Sequence, residues 1–236
     1  MYGLWMAATA AVLSDAQAAR PLLTDDARVI DDGGCQLESW VQRARGEQQA
    51  WALPACSAGA GSEWAAGAWR AIPRGSSETG SVFQYKRVLK EMQPGGWGMA
   101  VTLGTLAQGG ALQPFINFPL TWLSARKALA LHVNVGRAAQ DGSVTAHWTR
   151  GLALEQRLST DWWLIAEHHV PTGTSRLWQV GIRWWIWTDR LQLDATRGVL
   201  TMDQRNAPAI SIGLRWVFDG PGVRTGSSQS AHGRLP

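Results

Sequence analysis

Long apolar runs, nucleotide and zinc motifs, and basic clusters are all missing from this sequence, and each absence removes a class of protein. No stretch is long and apolar enough to cross a bilayer as a helix, so a helical membrane protein is excluded. There is no phosphate loop, dinucleotide fingerprint or H-E-x-x-H pair. Charged residues make up only 17%, and Arg and Lys are interleaved with acids, leaving no basic run of the kind that binds nucleic acid. With only Cys35 and Cys56 present, a structural four-ligand zinc site has no thiolates to draw on. Nothing in the sequence asks for a cofactor.

What is abundant is tryptophan. Fifteen Trp in 236 residues is far above the usage of a soluble domain. Indole rings accumulate where one edge meets hydrocarbon and the other meets water.

The N-terminus reads as an export signal over residues 1–18. Leu4 to Leu13 is a short apolar run, and Ala16-Gln17-Ala18 offers small residues at the positions that a signal peptidase requires. Export matches the two cysteines, which in an oxidising compartment form one disulfide; two free buried thiols are the alternative. Cys35 and Cys56 are equidistant from a turn at Arg45-Gly46, and so are Trp40 and Trp51. A hairpin folded there makes the cysteines direct cross-strand partners and stacks the two indoles on the opposite face.

After a polar lead over residues 19–34, the chain becomes a series of segments of alternating polarity punctuated by Gly, Pro, Asn, Asp and Ser, each about 9–11 residues long, as tilted transmembrane strands are. Twelve are predicted, at 35–45, 48–56, 63–73, 80–90, 96–107, 111–123, 127–138, 143–157, 161–171, 175–187, 190–200 and 208–218. In the seventh, Leu129, Leu131, Val133 and Val135 oppose Ala130, His132, Asn134 and Gly136; the twelfth sets Ile210, Ile212, Leu214, Trp216 and Phe218 against Ser211, Gly213 and Arg215. Soluble two-layer sheets alternate as well, but here no helical segment remains to cover such large apolar faces. The predicted fold is all-β, a closed antiparallel transmembrane β-barrel of about twelve strands over residues 35–218, with a disordered tail at 219–236.

Trp97, Trp122, Trp162, Trp163, Trp185, Trp187 and Trp216 fall near the connections of one predicted rim, as an interfacial girdle requires. Trp97, Trp122, Trp163, Trp187, Trp216 and Phe218 are the expected membrane-interface residues. Short turns at Ser124-Ala125-Arg126, Leu158-Ser159-Thr160 and Thr188-Asp189-Arg190 lie on the same rim and mark it as periplasmic.

The last strand, Ala209-Ile210-Ser211-Ile212-Gly213-Leu214-Arg215-Trp216-Val217-Phe218, resembles the terminal assembly signal of bacterial outer-membrane barrels, although here a polar tail follows it. The lead Arg20-Pro21-Leu22-Leu23-Thr24-Asp25-Asp26-Ala27, running to Cys35-Gln36-Leu37-Glu38, is similar to the start of proteobacterial barrels such as the transporter-like proteins of aromatic-degradation (meta-pathway) clusters. The resemblance implies a cell outer membrane location and a conduit for small or apolar compounds. It also implies two partners, outer-membrane lipids and the barrel assembly machinery, and it transfers no catalytic residues.

If the apolar parity faces lipid, the other parity lines a polar lumen largely filled by its own side chains, among them Glu38, Glu63, Lys86, His132, His147, Glu155, Glu167, Arg183, Asp194 and Arg215. These are the candidate binding residues, and a cross-lumen network of ion pairs is their structural alternative. His132 and His147 are predicted to face each other about a turn at Gln140-Asp141. His168 and His169 are neighbours on one strand and point to opposite faces. Arg150 and Arg197 fall on the apolar parity, where a charge costs roughly 2–4 kcal/mol at mid-bilayer and about 0–1 near an interface. Three functions fit: a small passive conduit, an outer-membrane lipid hydrolase carrying a Ser–His pair on its outer wall, or a closed structural barrel.

Overall fold

A computed structural model describes residues 22–72, 78–139, 146–172 and 175–220. The predicted signal peptide and residues 221–236 of the predicted tail lie outside the described residues; Asp219, assigned to that tail, instead ends β12 opposite Gly34. The elements are β1 (Gly34–Ala44), β2 (Glu47–Ser57), β3 (Ser62–Ile72), β4 (Glu78–Lys90), β5 (Trp97–Gln108), β6 (Ala111–Leu123), β7 (Leu129–Ala139), β8 (Ala146–Arg157), β9 (Trp162–Thr172), β10 (Ser175–Trp187), β11 (Leu191–Met202) and β12 (Arg205–Asp219). Each strand pairs antiparallel with its neighbours in the chain, and β1 closes the sheet on β12 from Gly34↔Asp219 to Ala44↔Ala209. The result is the expected twelve-stranded closed barrel. Both ends of the barrel chain emerge at one rim, called here the terminal rim.

At the far rim, three hairpins turn on two residues with positive φ: Arg45 and Gly46 (54° and 83°), Gly109 and Gly110 (57° and 81°), and Asp203 and Gln204 (47° and 65°). Such turns match the right-handed twist of the strands they join. They are at least as tight as the terminal-rim turns, so turn length does not tell the two ends of this barrel apart.

Burial is inverted relative to a soluble protein. His132 and Gln192 are 0% exposed, whereas Ile212 and Val180 are 65% and 60% exposed. Even positions of β1, such as Glu38 and Trp40, point inward, and odd ones, such as Val41, point out. The outer wall carries Leu103, Phe118, Val135, Leu152, Leu164, Ile182 and Ile210. Closure leaves no unpaired strand edge, the condition for a sheet in hydrocarbon.

Cys35 and Cys56 are paired across β1 and β2 and joined by a disulfide. Trp40 and Trp51 are partners on the opposite, inward face, stacked with ring centroids 5.1 Å apart. Inward-facing glycines make room for large groups. A Cβ on Gly80 would lie 2.4 Å from the Trp69 ring nitrogen, one on Gly104 2.3 Å from Phe115, and one on Gly151 2.4 Å from the Thr24 hydroxyl.

Candidate functional site

The lumen is filled by the chain's own lead. Residues 22–33 run through it from mid-lumen to the terminal rim before entering β1. Leu23 packs toward the far rim with Ala44, Leu177, Leu200 and Met202, while Leu22 packs with Ala153 and Ile165 at mid-lumen.

Below those leucines the segment has no strand to pair with, so its amides must find side chains on the wall. The Thr24 amide donates to Glu167. The Asp25 amide donates to Asn134 Oδ1 at 2.8 Å, and Asn134 Nδ2 donates back to the Asp25 carbonyl at 2.8 Å. The amides of Ala27 and Ile30 donate to Thr121 Oγ1 and Glu63 Oε2, each at 2.9 Å. Charge reinforces the attachment. Lys86 Nζ lies 2.7 Å from Asp25 Oδ1 and 3.6 Å from Asp26 Oδ1, with all three side chains buried. Thr102 Oγ1 donates to Asp25 Oδ2 at 3.3 Å, and Arg28 pairs with Asp26 at 2.6 Å.

A second network on β6 to β11 backs this attachment. Arg183 grips Glu155 with two hydrogen bonds of 2.8 and 2.9 Å. His132 Nε2 sits 3.7 Å from the same carboxylate, while its Nδ1 is 2.9 Å from Thr121 Oγ1. Thr121 therefore joins the wall network to the segment. Glu167 also accepts from Gln179 Nε2, whose Oε1 accepts from Thr196 Oγ1 at 2.9 Å.

The inward parity places Glu38, Glu63, Lys86, His132, Glu155, Glu167, Arg183 and Asp194 in the lumen, all buried. Arg215 is half-buried there, donating to Gln36 at 2.8 Å and lying 3.8 Å from Glu38. His147 is set apart near the far rim. β7 and β8 pair from Leu129↔Gln156 to Ala139↔Ala146, which puts His132 opposite Ala153 and His147 opposite Ala138. The expected histidine pair does not form, because the β7–β8 register runs through Ala139↔Ala146 and is not centred on Gln140-Asp141. Those two residues lie outside the described ones. Of the other histidines, His168 points out and stacks on Trp178 at 3.9 Å, while His169 is buried inside. Among the described residues, no group of three His, Cys, Asp or Glu could hold a metal ion.

The lumen is not polar throughout. In its far half Trp40, Trp51 and Trp69 form a ladder with centroid spacings of 5.1 and 5.6 Å, packed with Val82, Leu106 and Phe115. Beside the segment, opening toward the terminal rim, lies a cavity of about 540 Å³ whose lining includes Asp25, Glu38, Glu63, Lys86 and Arg215.

On the outer wall near the terminal rim stand Trp97, paired with Trp122, together with Trp187, Trp216 and Phe218. A register shift between Trp185 and Trp187 turns Trp187 outward, opposite Leu191. Trp163 departs from expectation. It shares the inward parity of Ile165, opposite Arg183, with the Arg157 guanidinium 5.9 Å from its ring centroid. The outward ring there is Trp162, stacked on Trp184 at 5.3 Å. Trp148 and Trp178 lie on the outer wall toward the far rim.

A closed barrel with this inversion and a threaded lead invites comparison with known proteins. The chain belongs to the family described as Uncharacterised conserved protein UCP029691. The family model matches residues 6–216. No curated protein matches the sequence. Solved structures of similar fold include a KdgM porin in complex with disordered oligogalacturonate, at a TM-score of 0.64 and 10% identity, covering 78% of this chain and 99% of that one. A NanC porin matches at 0.61 and 10%, covering 76% and 98%. The COG4313 outer membrane channel from Pseudomonas putida F1 matches at 0.61 and 8%, covering 82% and 98%. At such identities the likeness is one of fold.

Proposed function

We propose that this protein is an outer-membrane channel for small apolar compounds, closed at rest by residues 22–33 and passive when that segment leaves the lumen. Its location follows from the apolar outer wall of a closed sheet, with the Trp-rich terminal rim at the periplasmic interface. On this reading the signal peptide ends at Ala18, and the barrel assembly machinery reads the β12 strand. The observation that carries the proposal is how the segment is held. Among the described residues, hydrogen bonds, one buried ion-pair cluster and two leucines attach it to the wall, and no covalent cross-link does.

The choice of solute rests on the lining. A conduit for acidic sugars needs a basic passage. Here Glu38, Glu63, Glu155, Glu167 and Asp194 match or exceed the basic groups, and the far half of the passage presents the Trp40–Trp51–Trp69 ladder. Stacked indoles offer flat, low-entropy surface to an aromatic or alicyclic solute. The similarity of the lead to meta-pathway transporter-like proteins points the same way.

The test compares the full chain with a variant lacking residues 22–30 in planar bilayers, after heat-modifiable migration has verified folding of both. We expect rare, brief openings for the full chain and steady conductance for the variant. The variant should also admit indole to vesicles faster. A closed structural barrel, favoured by the density of lumenal contacts, predicts no conductance from either protein.

A further inference from the structure

The outer wall carries charge of one sign. Among the described strands, every Asp and Glu falls on the inward parity, whereas Arg43, Arg70, Arg137, Arg150, Arg176 and Arg197 all point outward in the far half. Among the described strands no carboxylate shares the face of these six guanidinium groups. A bilayer can supply counter-charge there through its headgroup phosphates.

Two of these arginines meet at a groove. It crosses β7 to β10, has a volume of about 480 Å³, and is lined by Val133, Val135, Leu152 and Val170 together with Arg150, His168 and Arg176. Arg150 is the partner of Val170, and His168 is the partner of Leu152, so Arg150 and His168 are diagonal neighbours, about 7–8 Å apart at the backbone. Arg176 comes from the irregular start of β10, where the register shifts between Ser175 and Leu177. Trp178 stacks on His168 and holds its ring at the edge of the groove.

On the orientation proposed above, the upper end of the groove reaches headgroup depth. Arg176 is next to the β10 end, while Arg150 and His168 are each four residues below theirs. With a rise of about 3.3 Å per residue and a tilt near 40°, four residues descend about 10 Å. A phosphate there meets two forked guanidinium donors and an imidazole, and its acyl chains continue over the valines and Leu152. Arg binds phosphate with paired hydrogen bonds that a hydrated ammonium does not match.

We infer that this groove is a binding site for a phosphorylated lipid of the outer leaflet, with Arg150 and Arg176 on the phosphate and His168 as an additional donor. The inference rests on the membrane orientation proposed above and not on conduction, so the bilayer experiment and the one below fail separately.

The test is native mass spectrometry of the full-length barrel in mild detergent, titrated with bisphosphorylated lipid A or with its dephosphorylated form. Wild type should prefer the phosphorylated lipid. Arg150→Gln with Arg176→Gln should weaken that binding by on the order of a hundredfold, about tenfold for each arginine, and leave the dephosphorylated lipid unaffected. Arg87→Gln, an outward arginine near the other rim, should change nothing. Equal binding by wild type and the double variant, equal affinity for the two lipids, or an equal loss from Arg87→Gln would each overturn the site. Heat-modifiable migration of every variant separates a lost site from a lost fold.

Discussion

Replacing Lys86 by Met tests the closure directly. The ammonium lies 2.7 Å from Asp25 and 3.6 Å from Asp26, and all three side chains are nearly removed from water. Met has a similar reach and no charge, so the wall keeps its shape while Asp25 loses its counter-ion and Asp26 keeps only Arg28, which belongs to the segment itself. Removing one partner of a buried pair costs about 3–5 kcal/mol, because the other charge is left uncompensated. The barrel need not absorb that cost, since the twelve-strand ladder makes no use of Lys86's side chain. Segment and wall can relieve it by separating, which returns Asp25 and Asp26 to water. At about 1.4 kcal/mol per factor of ten, the open fraction should rise by roughly two to three and a half powers of ten. Single-channel recording reads the open fraction, and trypsin cleavage after Arg28 reads exposure of the segment independently. Lys86→Arg, which keeps the charge, should lie close to wild type. If Lys86→Met leaves both the conductance and the cleavage rate at Arg28 unchanged, the ion pair does not hold the lumen shut.

Four further outcomes are expected. Cys35→Ser with Cys56→Ser should lower stability by up to about 3 kcal/mol on loop-closure entropy, less where the β1–β2 hairpin persists in the unfolded chain; urea titration of the reconstituted barrel measures it. Gly151→Val would drive a side chain into Thr24, and an overpacking cost of about 1–3 kcal/mol should raise open probability about five- to a hundredfold. Trp51→Ala removes the middle rung of the inner ladder and should cost about 3–5 kcal/mol, against a much smaller loss for Trp178→Ala on the outer wall. N-terminal sequencing of protein extracted from membranes should begin at Ala19, and a retained Met1 would remove the export argument.

The strands were legible because a barrel strand states its two faces in alternating residues, and a slip of one would put His132 in lipid and Val133 in the lumen. Boundaries agree within about three residues, the largest departures being the starts of β8 at Ala146 and of β12 at Arg205, where polar residues hide the alternation. The Cys35–Cys56 register was readable because Arg45-Gly46 is a two-residue turn that leaves no freedom in the pairing. The β7–β8 hairpin gave no such anchor, and the histidine pairing failed there. Adjacent rings at Trp162-Trp163 carry no parity of their own, so the wrong one was assigned to the interface. The threading of residues 22–33 was not legible, because the segment has no period and reads as a polar leader. One trace of it existed. Gly136, Gly151 and Gly213, with Ala130 and Ala153, all fall on the inward parity and leave space that the predicted lumenal side chains could not fill.

The stopper of this lumen is tied to the first strand through Gly33 and Gly34, where the Gly34 amide donates to the Asp31 carbonyl at 2.9 Å. A displaced segment therefore cannot diffuse away. Its return is a unimolecular event at an effective concentration on the order of millimolar, set by the tether and not by the amount of protein in the membrane. Open intervals should thus have a duration fixed by the chain itself, the same in a sparse bilayer and a crowded one. A synthetic peptide with the sequence of residues 22–33 would compete for the vacated lumen only when supplied at comparable strength.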